Sequence, residues 1–555
     1  MTKLYLVLIE TSGNQNYIFS TNKLKENIGA SELTYQAGTQ WIVKAVATQT
    51  KTRLSENWQE PETFRKWLEG QPPIDQPEAV AEIIVAASGK SLILAKTEDV
   101  ARSIIADVTK TALKKAPGLD LSGVYVEIKD WQKQGSLGAA IKEAHQVFEQ
   151  LRSHRPSPES RFLRLPIIAD CAMSGLPAYR IETQIGTETP KAISRVSDSK
   201  RDSQVSQQVI KRLQSIAPGT KLVSNINQLE SLFEEMSWLA IVHADGNGLG
   251  QIFLDFSQYA GDENRQYLDQ YRRFSLALDR CTEEAFRTAL QVLPTDKEVL
   301  PIVPLIIGGD DLTVVCHGQY ALEFTQVFLK EFERQTTTNK VISKIAEAAF
   351  GVGRLSACAG VAIVKRHFPF SAAYGLAEGL IKSAKEVKTK VTNPAKANQP
   401  YPCSAIDFHI LYDTSGISLG RIRKKLEPQA HIKLYNRPYL VTDDLKTATD
   451  QAWVDCHRWQ RLSDRVKALS DGGLPMGQAN TLRMALFLGK EAADAEYRLI
   501  QQRYPDLKTF EEAEGSLFHQ YQDLYSTSFL DALDAKDFLE NHLKKHPIEN
   551  VEVAP

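Results

Sequence analysis

Apolar residues in the first 155 positions follow two different periods. Short continuous apolar runs are typical of buried strands, and stretches in which apolar residues recur every three or four positions are typical of helices. They predict strands at Leu4–Ile9, Ile83–Ala87, Leu92–Leu94 and Gly123–Ile128, and helices at about Thr21–Val46, Val100–Ala112 and Leu137–Leu151. The resulting order, β-α-β-β-α-β-α, contains the β-α-β-β-α-β unit of a ferredoxin-like fold.

The same order recurs between residues 238 and 388. The pattern predicts a strand at Leu239–Val242, a long helix through 274–289, two strands within 301–316, a helix through 324–332, a strand at Leu355–Val364 and a helix from Ser371. Finding one order twice indicates an internal duplication. We therefore expect an α+β protein with two ferredoxin-like domains in tandem.

The repeat divides the rest of the chain. We predict a first ferredoxin-like domain at 1–155, a connecting segment at 156–235, a second ferredoxin-like domain at 236–392, a basic connecting segment at 393–441 and an α-helical C-terminal domain at 442–555. The long helices of the last domain are predicted at Leu445–Leu469, Asn480–Tyr504 and Thr527–Leu543. This domain carries no catalytic pattern, so we interpret it as a binding or assembly module.

Residues 194–212, in the first connecting segment, are polar, serine-rich and basic. Such a composition buries little apolar surface and predicts a solvated, mobile linker. A strand that contacts RNA phosphates is the functional alternative, since lysine and arginine provide most of the affinity for a phosphate backbone.

Two short β-type runs in residues 301–316, PIVPLIIGGDDLTVVC, enclose the tetrapeptide Gly308–Asp311. This is a strong hairpin signal. Asp310 and Asp311 at the tip would repel each other, whereas a divalent cation such as Mg²⁺ or Mn²⁺ would stabilise both carboxylates. Gly308 and Gly309 would let a phosphate chain approach the backbone. An ordinary solvated Gly-Asp turn is the alternative interpretation.

Asp245 is the expected partner of this pair. It ends the strand that opens the second domain, precedes Asp310 by 65 residues (310 − 245), and is followed by Gly246, Asn247 and Gly248. A strand-end aspartate beside a hairpin-tip pair is the layout of a polymerase or nucleotidyl-cyclase palm, in which two metal ions serve attacking and leaving oxygens. We predict that Asp245, Asp310 and Asp311 are catalytic metal ligands and that the nearby glycines and Asn247 bind nucleotide. The alternative is that Asp245 is only a turn residue.

The first domain lacks this chemistry, because its hairpin carries Ser88–Ser91 (SGKS) in place of GGDD. SGKS resembles the end of a phosphate-binding P-loop, but the required upstream glycine is missing and a strand follows instead of a helix. Lys90 is left as a candidate: if the two hairpins face each other, it could seat the phosphate of an acceptor nucleotide. An exposed turn lysine is the alternative.

Composition restricts the class of protein further. With 43% hydrophobic and 24% charged residues the chain is typical of soluble proteins, and its net charge of −2 means that any basic surface must be local. Six scattered cysteines fit a reducing, cytoplasmic compartment. No apolar run approaches the ~20 residues of a membrane span, so no membrane partner is expected.

Four stretches carry a resemblance to a known family, the large palm-bearing polymerase/cyclase subunit of type III CRISPR effector complexes. The form it resembles has two palm-like halves, of which the second is active. The stretches are Asn16–Phe19 with Leu24 and Gly29–Ser31, Cys171 with Gly175–Ala178 and the Ser/Lys/Arg-rich residues that follow, Asp245–Gly250 with Gly308–Asp311, and His367–Ser371 with Ala377–Glu378 and Ala384–Lys385. Together they lie within residues 1–390.

The resemblance implies a two-metal enzyme that converts ATP into cyclic oligoadenylate second messengers of antiviral defence. It implies that Lys385 and Lys382 reach the triphosphate. It also implies partners, namely guide or target RNA and CRISPR effector subunits, bound through the basic segments and the helical C-terminal domain. The chain has no His-Asp dipeptide, so we expect no nuclease domain, and Ser174 replaces the second cysteine of a zinc knuckle.

Two other functions stay open. The chain could be a non-catalytic nucleotide-binding scaffold or sensor, or a nucleotidyl cyclase that makes a different cyclic nucleotide. Retention of all three aspartates favours an enzyme over a sensor but does not select the product.

Overall fold

A computed structural model describes residues 3–182, 190–220, 222, 236–294, 299–393, 396–412, 418–445 and 451–545. Within these ranges no helix combines the length and the apolar composition that crossing a membrane requires.

The first domain has the predicted order of elements. Its elements are β1 (Leu4–Ser12), α1 (Asn14–Phe19), α2 (Leu24–Gly38), α3 (Gln40–Thr50), α4 (Pro61–Glu69), β2 (Ala81–Ala87), β3 (Lys90–Ala95), α5 (Glu98–Lys115), β4 (Asp120–Ile128) and α6 (Ser136–His154). The strands pair in the order β2-β3-β1-β4, with antiparallel neighbours. Helix α5 shows why the sequence fits: Thr97 caps its N-terminus, and Lys114 and Lys115 complement the dipole at its last turn.

Residues 194–212 of the connecting segment are mainly helical. The segment contains β5 (Ala178–Glu182), β6 (Lys191–Ser194), α7 (Arg195–Lys200) and α8 (Ser203–Ile216). Apolar residues at positions 209, 213 and 216 of α8 are buried, a helical stripe that the polar composition concealed. Lys200 is buried and donates to the carbonyl of Tyr17 at 2.6 Å, while Arg212 is paired with Glu32 at 3.1 Å. The prediction of a mobile linker was therefore wrong, and so was the strand of the alternative interpretation, whereas contact of this segment with RNA phosphates stays a prediction. Residues 183–189, 221 and 223–235 of the predicted segment lie outside the described residues.

The second domain repeats the order with additions. Its elements are β7 (Trp238–Gly246), α9 (Leu249–Leu254), α10 (Phe256–Ala260), α11 (Asn264–Ala289), β8 (Ile302–Gly308), β9 (Asp311–His317), α12 (Gly318–Thr338), α13 (Lys340–Phe350), β10 (Ala357–Lys365) and α14 (Phe370–Ala384). The central strands β7 and β10 are almost continuously buried because helices cover them.

The segment predicted as a basic connection supplies strands to the second sheet. After β11 (Thr392–Asn393) and β12 (Lys396–Pro400), strand β13 (Ala405–Leu411) pairs in parallel with β10. Two further elements, α15 (Leu419–Lys425) and β14 (Ile432–Lys433), precede β15 (Tyr439–Leu440), which pairs with β13. The sheet order is β15-β13-β10-β7-β9-β8. The sheet thus extends beyond residue 392 of the predicted domain.

The C-terminal part is mainly helical, with one small sheet. Its elements are α16 (Gln451–Cys456), α17 (Trp459–Ser470), α18 (Met476–Leu488), α19 (Lys490–Gln501), β16 (His519–Tyr521), β17 (Leu524–Ser526) and α20 (Phe529–Lys545). Residues 446–450 of the first predicted helix lie outside the described residues. The fold class predicted from sequence, two tandem ferredoxin-like domains followed by a helical domain, is confirmed.

The two ferredoxin-like domains share one core. Apolar residues of both sheets and of α11 form a continuous buried cluster. At the junction, Glu82 of β2 is fully buried and accepts hydrogen bonds from Arg272 at 2.6 Å and Arg265 at 2.8 Å, both on α11. Because separating a buried ion pair is costly, these contacts fix how the first domain sits against α11.

Candidate active site

The GGDD tetrapeptide forms the tip of a tight hairpin. Strand β8 ends at Gly308 opposite Asp311, the first residue of β9, so that Gly309 and Asp310 are the two loop residues. Gly309 has a φ of 61°, and a glycine with positive φ at the first loop position is what a type II′ hairpin turn requires. The hairpin prediction is confirmed.

The three predicted metal ligands meet at one edge of the second sheet. Strand β7 runs antiparallel to β9, so its C-terminal end lies beside the hairpin tip. Carboxylate oxygens of Asp245, Asp310 and Asp311 lie within 4.8 Å of one another, and all three residues are half-buried. A compact set of carboxylate oxygens is the donor set that Mg²⁺ or Mn²⁺ prefers, so these residues fit the implied metal.

Electrostatics also favour a cation at this edge. Burial raises the pKa of both Asp310 and Asp311, and the charge of Asp310 raises the pKa of Asp311 further, to about 8. Without a cation, the pair is most stable with a proton bound near neutral pH. A divalent ion would take the place of that proton.

Lys385 is the lysine that reaches the carboxylates. It follows α14, and its ammonium is paired with the carboxylate of Asp245. Burial, and then the charge of Lys388, lower the pKa of Lys385 to about 8. Lys382, by contrast, has a side chain that is 72% exposed and pairs with Glu378 at 2.7 Å. The structure thus brings one of the two predicted triphosphate lysines to the site and leaves the other on the outer face of the helix.

The glycines after Asp245 shape the turn around the site. Gly246 lies directly against Asp310, because a β-carbon on Gly246 would stand 2.8 Å from the carboxylate of Asp310. Gly248 has a φ of 77°, and a β-carbon there would stand 2.7 Å from the ring of Phe350. Both positions therefore depend on glycine for close packing.

Asn247 connects three segments of the second domain beside the site. It is buried, and its amide donates to the hydroxyl of Ser356 and to the carbonyl of Cys403, both at 3.1 Å. These bonds join the end of β7 to the segments that flank β10 and β13. The amide nitrogen is engaged by the protein, whereas Oδ1 has no hydrogen-bond partner among the described residues, so nucleotide binding by Asn247 stays a prediction.

Lys90 in the SGKS hairpin contacts its own domain. Its ammonium lies 3.2 Å from the ring nitrogen of His145 and 3.9 Å from the carboxylate of Glu10. Burial and the Lys90 charge lower the pKa of His145 to about 4, so the imidazole is neutral and accepts the hydrogen bond. The structure does not place Lys90 among the three carboxylates.

Sequence reasoning missed two residues of α11 that hold the hairpin tip. The backbone N–H of Gly309 donates to the carboxylate of Asp279 at 3.0 Å, and the hydroxyl of Thr282 donates to the carbonyl of Gly309 at 2.6 Å. The available signal was a polar face, Asp279, Thr282 and Glu283, beside the apolar stripe of a helix. Helical spacing alone could not show that this face binds the backbone of Gly309.

Two of the stretches noted in the sequence meet across the domain junction. Phe19 of α1 stacks on Tyr374 of α14 with ring centroids 3.6 Å apart. The side-chain oxygen of Asn22 accepts from the backbone N–H of Ser371 at 3.3 Å. The ring centroid of Phe19, in the first stretch, also lies 5.9 Å from that of Phe370, in the fourth, so these two stretches are in contact between the halves.

A ferredoxin-like sheet with carboxylates on a hairpin tip and on the adjacent strand end defines a palm domain, the class of fold found in polymerases and nucleotidyl cyclases. Residues 238–392 match the family model described as "Cas10/Cmr2, second palm domain". This part of the chain is a Cas10-like palm domain.

Solved structures show a more distant similarity, and no curated protein matches the chain. The Csm1–Csm4 cassette in complex with cA4 is 13% identical with a TM-score of 0.40, over 69% of this chain and 53% of that chain. The cassette in complex with one ATP is 14% identical, with the same TM-score and coverage. Csm1 in T. onnurineus is 14% identical with a TM-score of 0.41, over 72% of this chain and 55% of that one. The chain thus spans about half the length of these solved chains.

Proposed function

We propose that this protein is a metal-dependent nucleotidyltransferase that converts ATP into cyclic oligoadenylate. The observation that carries the proposal is the meeting of Asp245, Asp310 and Asp311 within 4.8 Å inside a Cas10-like second palm domain. Adenine specificity and the cyclic product come from the family resemblance of the motifs, so they are the part of the proposal that experiment must decide.

Asp245, Asp310 and Asp311 would hold Mg²⁺ or Mn²⁺. When bound, such ions activate a ribose 3′-hydroxyl and neutralise charge on the triphosphate. The chain's own groups provide the rest. The narrow Gly308-Gly309 tip admits phosphates, and Asp279 and Thr282 keep that tip in position through both backbone groups of Gly309.

Lys385 would change partner during binding. In the structure its ammonium neutralises Asp245. With Asp245 holding a cation, the ammonium of Lys385 would be available to bind a triphosphate oxygen as a point charge. Lys90 remains a proposal for the acceptor nucleotide, although its described contacts are with Glu10 and His145.

Partners and location belong to the proposal as well. A nucleoside triphosphate is the direct ligand. Guide or target RNA and CRISPR effector subunits are proposed partners, and a cytoplasmic location in antiviral defence goes with them.

The test is incubation of the full chain with each of the four nucleoside triphosphates and Mg²⁺ or Mn²⁺, with and without single-stranded RNA, followed by mass spectrometry. Cyclic oligomers of AMP from ATP, absent for Asp311→Asn, are the expected result. ATP binding without any product would overturn the proposal in favour of a scaffold or sensor. A different cyclic nucleotide would favour the other cyclase.

A further inference from the structure

The end of helix α14 is fixed against the sheet beside Asp245. Strand β10 pairs with β7 so that Cys358 lies directly opposite Asp245. The thiol of Cys358 donates to the carbonyl of Ala384, the last residue of α14, at 3.6 Å. Gly360 permits this close packing, because a β-carbon there would stand 2.2 Å from a backbone carbonyl oxygen of α14. Lys385, the residue after the helix, is therefore held at the level of Asp245.

The ammonium of Lys385 uses one of the three carboxylates that form the candidate metal site. It is paired with Asp245, and both side chains are only partly exposed. Because the carboxylate oxygens of Asp245, Asp310 and Asp311 lie within 4.8 Å of one another, a cation held by all three would lie close to that ammonium. Like charges repel strongly at such a separation when water screens them poorly. Lys385 and a metal ion therefore compete for Asp245.

A nucleoside triphosphate offers the ammonium of Lys385 a second anionic partner. Lysine carries its charge on a flexible four-carbon stem, so the ammonium can leave a carboxylate while the end of the helix stays packed. With Lys385 on a phosphate oxygen, the carboxylate of Asp245 would be available to a cation. Because coupling between two ligands is reciprocal, a ligand that removes Lys385 from Asp245 raises the metal affinity of the carboxylates, and metal raises the affinity for that ligand.

We propose that Lys385 is an internal competitor of the metal: it holds Asp245 until a nucleoside triphosphate draws it away, so that metal alone binds weakly and metal and nucleotide bind together. This inference rests on the proposed function, because it concerns the same three carboxylates and the same triphosphate. It adds to that function a means by which the chain keeps divalent metal from binding before the nucleotide.

A lysine that only contacts phosphate would act differently. Its removal would weaken nucleotide binding and would leave the affinity for metal alone unchanged. Removal of an internal competitor also weakens nucleotide binding, but it strengthens the binding of metal alone. The sign of the change in metal affinity, measured without nucleotide, therefore separates the two roles of Lys385.

The experiment is a titration of the full chain with Mn²⁺ in the absence of nucleotide, in which the electron paramagnetic resonance signal reports the unbound ion. Lys385→Gln should bind Mn²⁺ at least ~10-fold more tightly than the wild type, a change within the range typical of coupled sites. Lys385→Arg keeps the charge and should bind Mn²⁺ as weakly as the wild type. Asp310→Asn/Asp311→Asn measures binding elsewhere on the chain, which is subtracted, and thermal melts verify that each variant folds.

Lys382→Gln is the matched control, because it removes the same charge from the same helix at a side chain that is 72% exposed and paired with Glu378. Its Mn²⁺ affinity should equal that of the wild type, since solvent and salt screen an exposed charge. Mn²⁺ binding by Lys385→Gln that is no tighter than that of the wild type, or equal tightening by Lys382→Gln, would overturn the inference.

Failure of this inference is distinguishable from failure of the proposed catalysis. If Lys385→Gln tightens Mn²⁺ binding and the wild type makes no product, the competition is supported and only the catalytic proposal falls. If the wild type makes product and Lys385→Gln leaves Mn²⁺ affinity unchanged, the catalytic proposal stands and the competition is refuted.

Discussion

The guanidinium of Arg65 in the first domain lies 2.7 Å from the carboxylate of Asp279 in the second, and the same carboxylate accepts the backbone N–H of Gly309. The Arg65 side chain is only 2% exposed and also pairs with Glu283. The hairpin tip that presents Asp310 and Asp311 is thus held by a chain of charged hydrogen bonds that begins in the other domain. Through this contact the first domain helps to position the hairpin tip, although none of the three predicted metal ligands belongs to it.

Arg65→Met should therefore destabilise the protein and impair turnover together. It leaves the carboxylates of Asp279 and Glu283 without their shared partner, which for a buried pair costs roughly 3 kcal/mol. Urea unfolding measures the first effect and product formation the second. Glu62→Gln is the control, because Glu62 also contacts Arg65 but is 61% exposed, and it should change little. If the Arg65→Met variant is as stable as the wild type and has normal turnover, the hairpin tip keeps its position without the ion pair between Arg65 and Asp279.

Asp311→Asn should lower nucleotide turnover by ~10²-fold or more, the loss expected when one preorganised charge is removed from a reacting site. Its stability without metal should stay the same near neutral pH, where the carboxylate pair already holds a proton, and should rise slightly above pH 8, because the amide cannot repel the charge of Asp310. Product formation and thermal melting test the two parts. Asp262→Asn, at an exposed position on the same domain, is the control. If Asp311→Asn unfolds, the carboxylate is structural.

The two lysines near the end of α14 form a matched pair for mutation. Lys385→Gln should raise the KM for ATP about tenfold or more, because a charged contact to phosphate is lost. Lys382→Gln should have almost no effect, since its exposed pair with Glu378 contributes little. Steady-state kinetics on both variants decide the point. Equal changes in KM for the two variants would contradict the proposal that Lys385 binds the triphosphate.

Metal removal should abolish stabilisation by ATP. A ligand that binds only the folded state raises its stability by mass action, by about 2.7 kcal/mol at one hundred times the Kd. Thermal shifts with ATP and Mn²⁺ should be clear, whereas those with ATP in EDTA should be small. Shifts of the same size in both buffers would contradict binding through a metal bridge.

Buried His457 should make the protein sensitive to mild acid. Burial lowers the pKa of His457 to about 4, although the hydrogen bond to the carbonyl of Trp453 raises it; the charge of His519 contributes to the lowering. Because the folded-state pKa is depressed, stability is fully present above pH ~6.5 and is lost as pH falls towards 4, by roughly 3 kcal/mol for this group. Asn at this position can keep the bond to the carbonyl of Trp453, so His457→Asn should fold and lose this part of the pH dependence. Urea unfolding at pH 7.5 and pH 5 provides the comparison, and an unchanged difference between the two would contradict the assignment.

The sequence predicted those parts of the site that depend on local pattern. The Gly308–Asp311 hairpin follows from two apolar runs and a glycine step, and Asp245 follows from a strand end. Asp279 escaped notice because its partner, the N–H of Gly309, is set by the approach of α11 and not by any spacing along the chain. Residues 194–212 were misjudged for a related reason, since Lys200 and Arg212 have the composition of a linker but find buried partners in the first domain.

Strand β13, which pairs in parallel with β10 from Cys358 to Val364, has a consequence for any attempt to isolate the palm. A fragment cut at residue 392 would keep the hairpin and all three carboxylates but would leave one side of β10, a long and almost wholly apolar strand, without a hydrogen-bonding neighbour. An edge of that kind is a template on which a second chain can add a strand. Residues 238–392, which match the family model, are therefore too short to be expected to stay monomeric. The smallest fragment expected to do so also includes strand β13, residues 405–411.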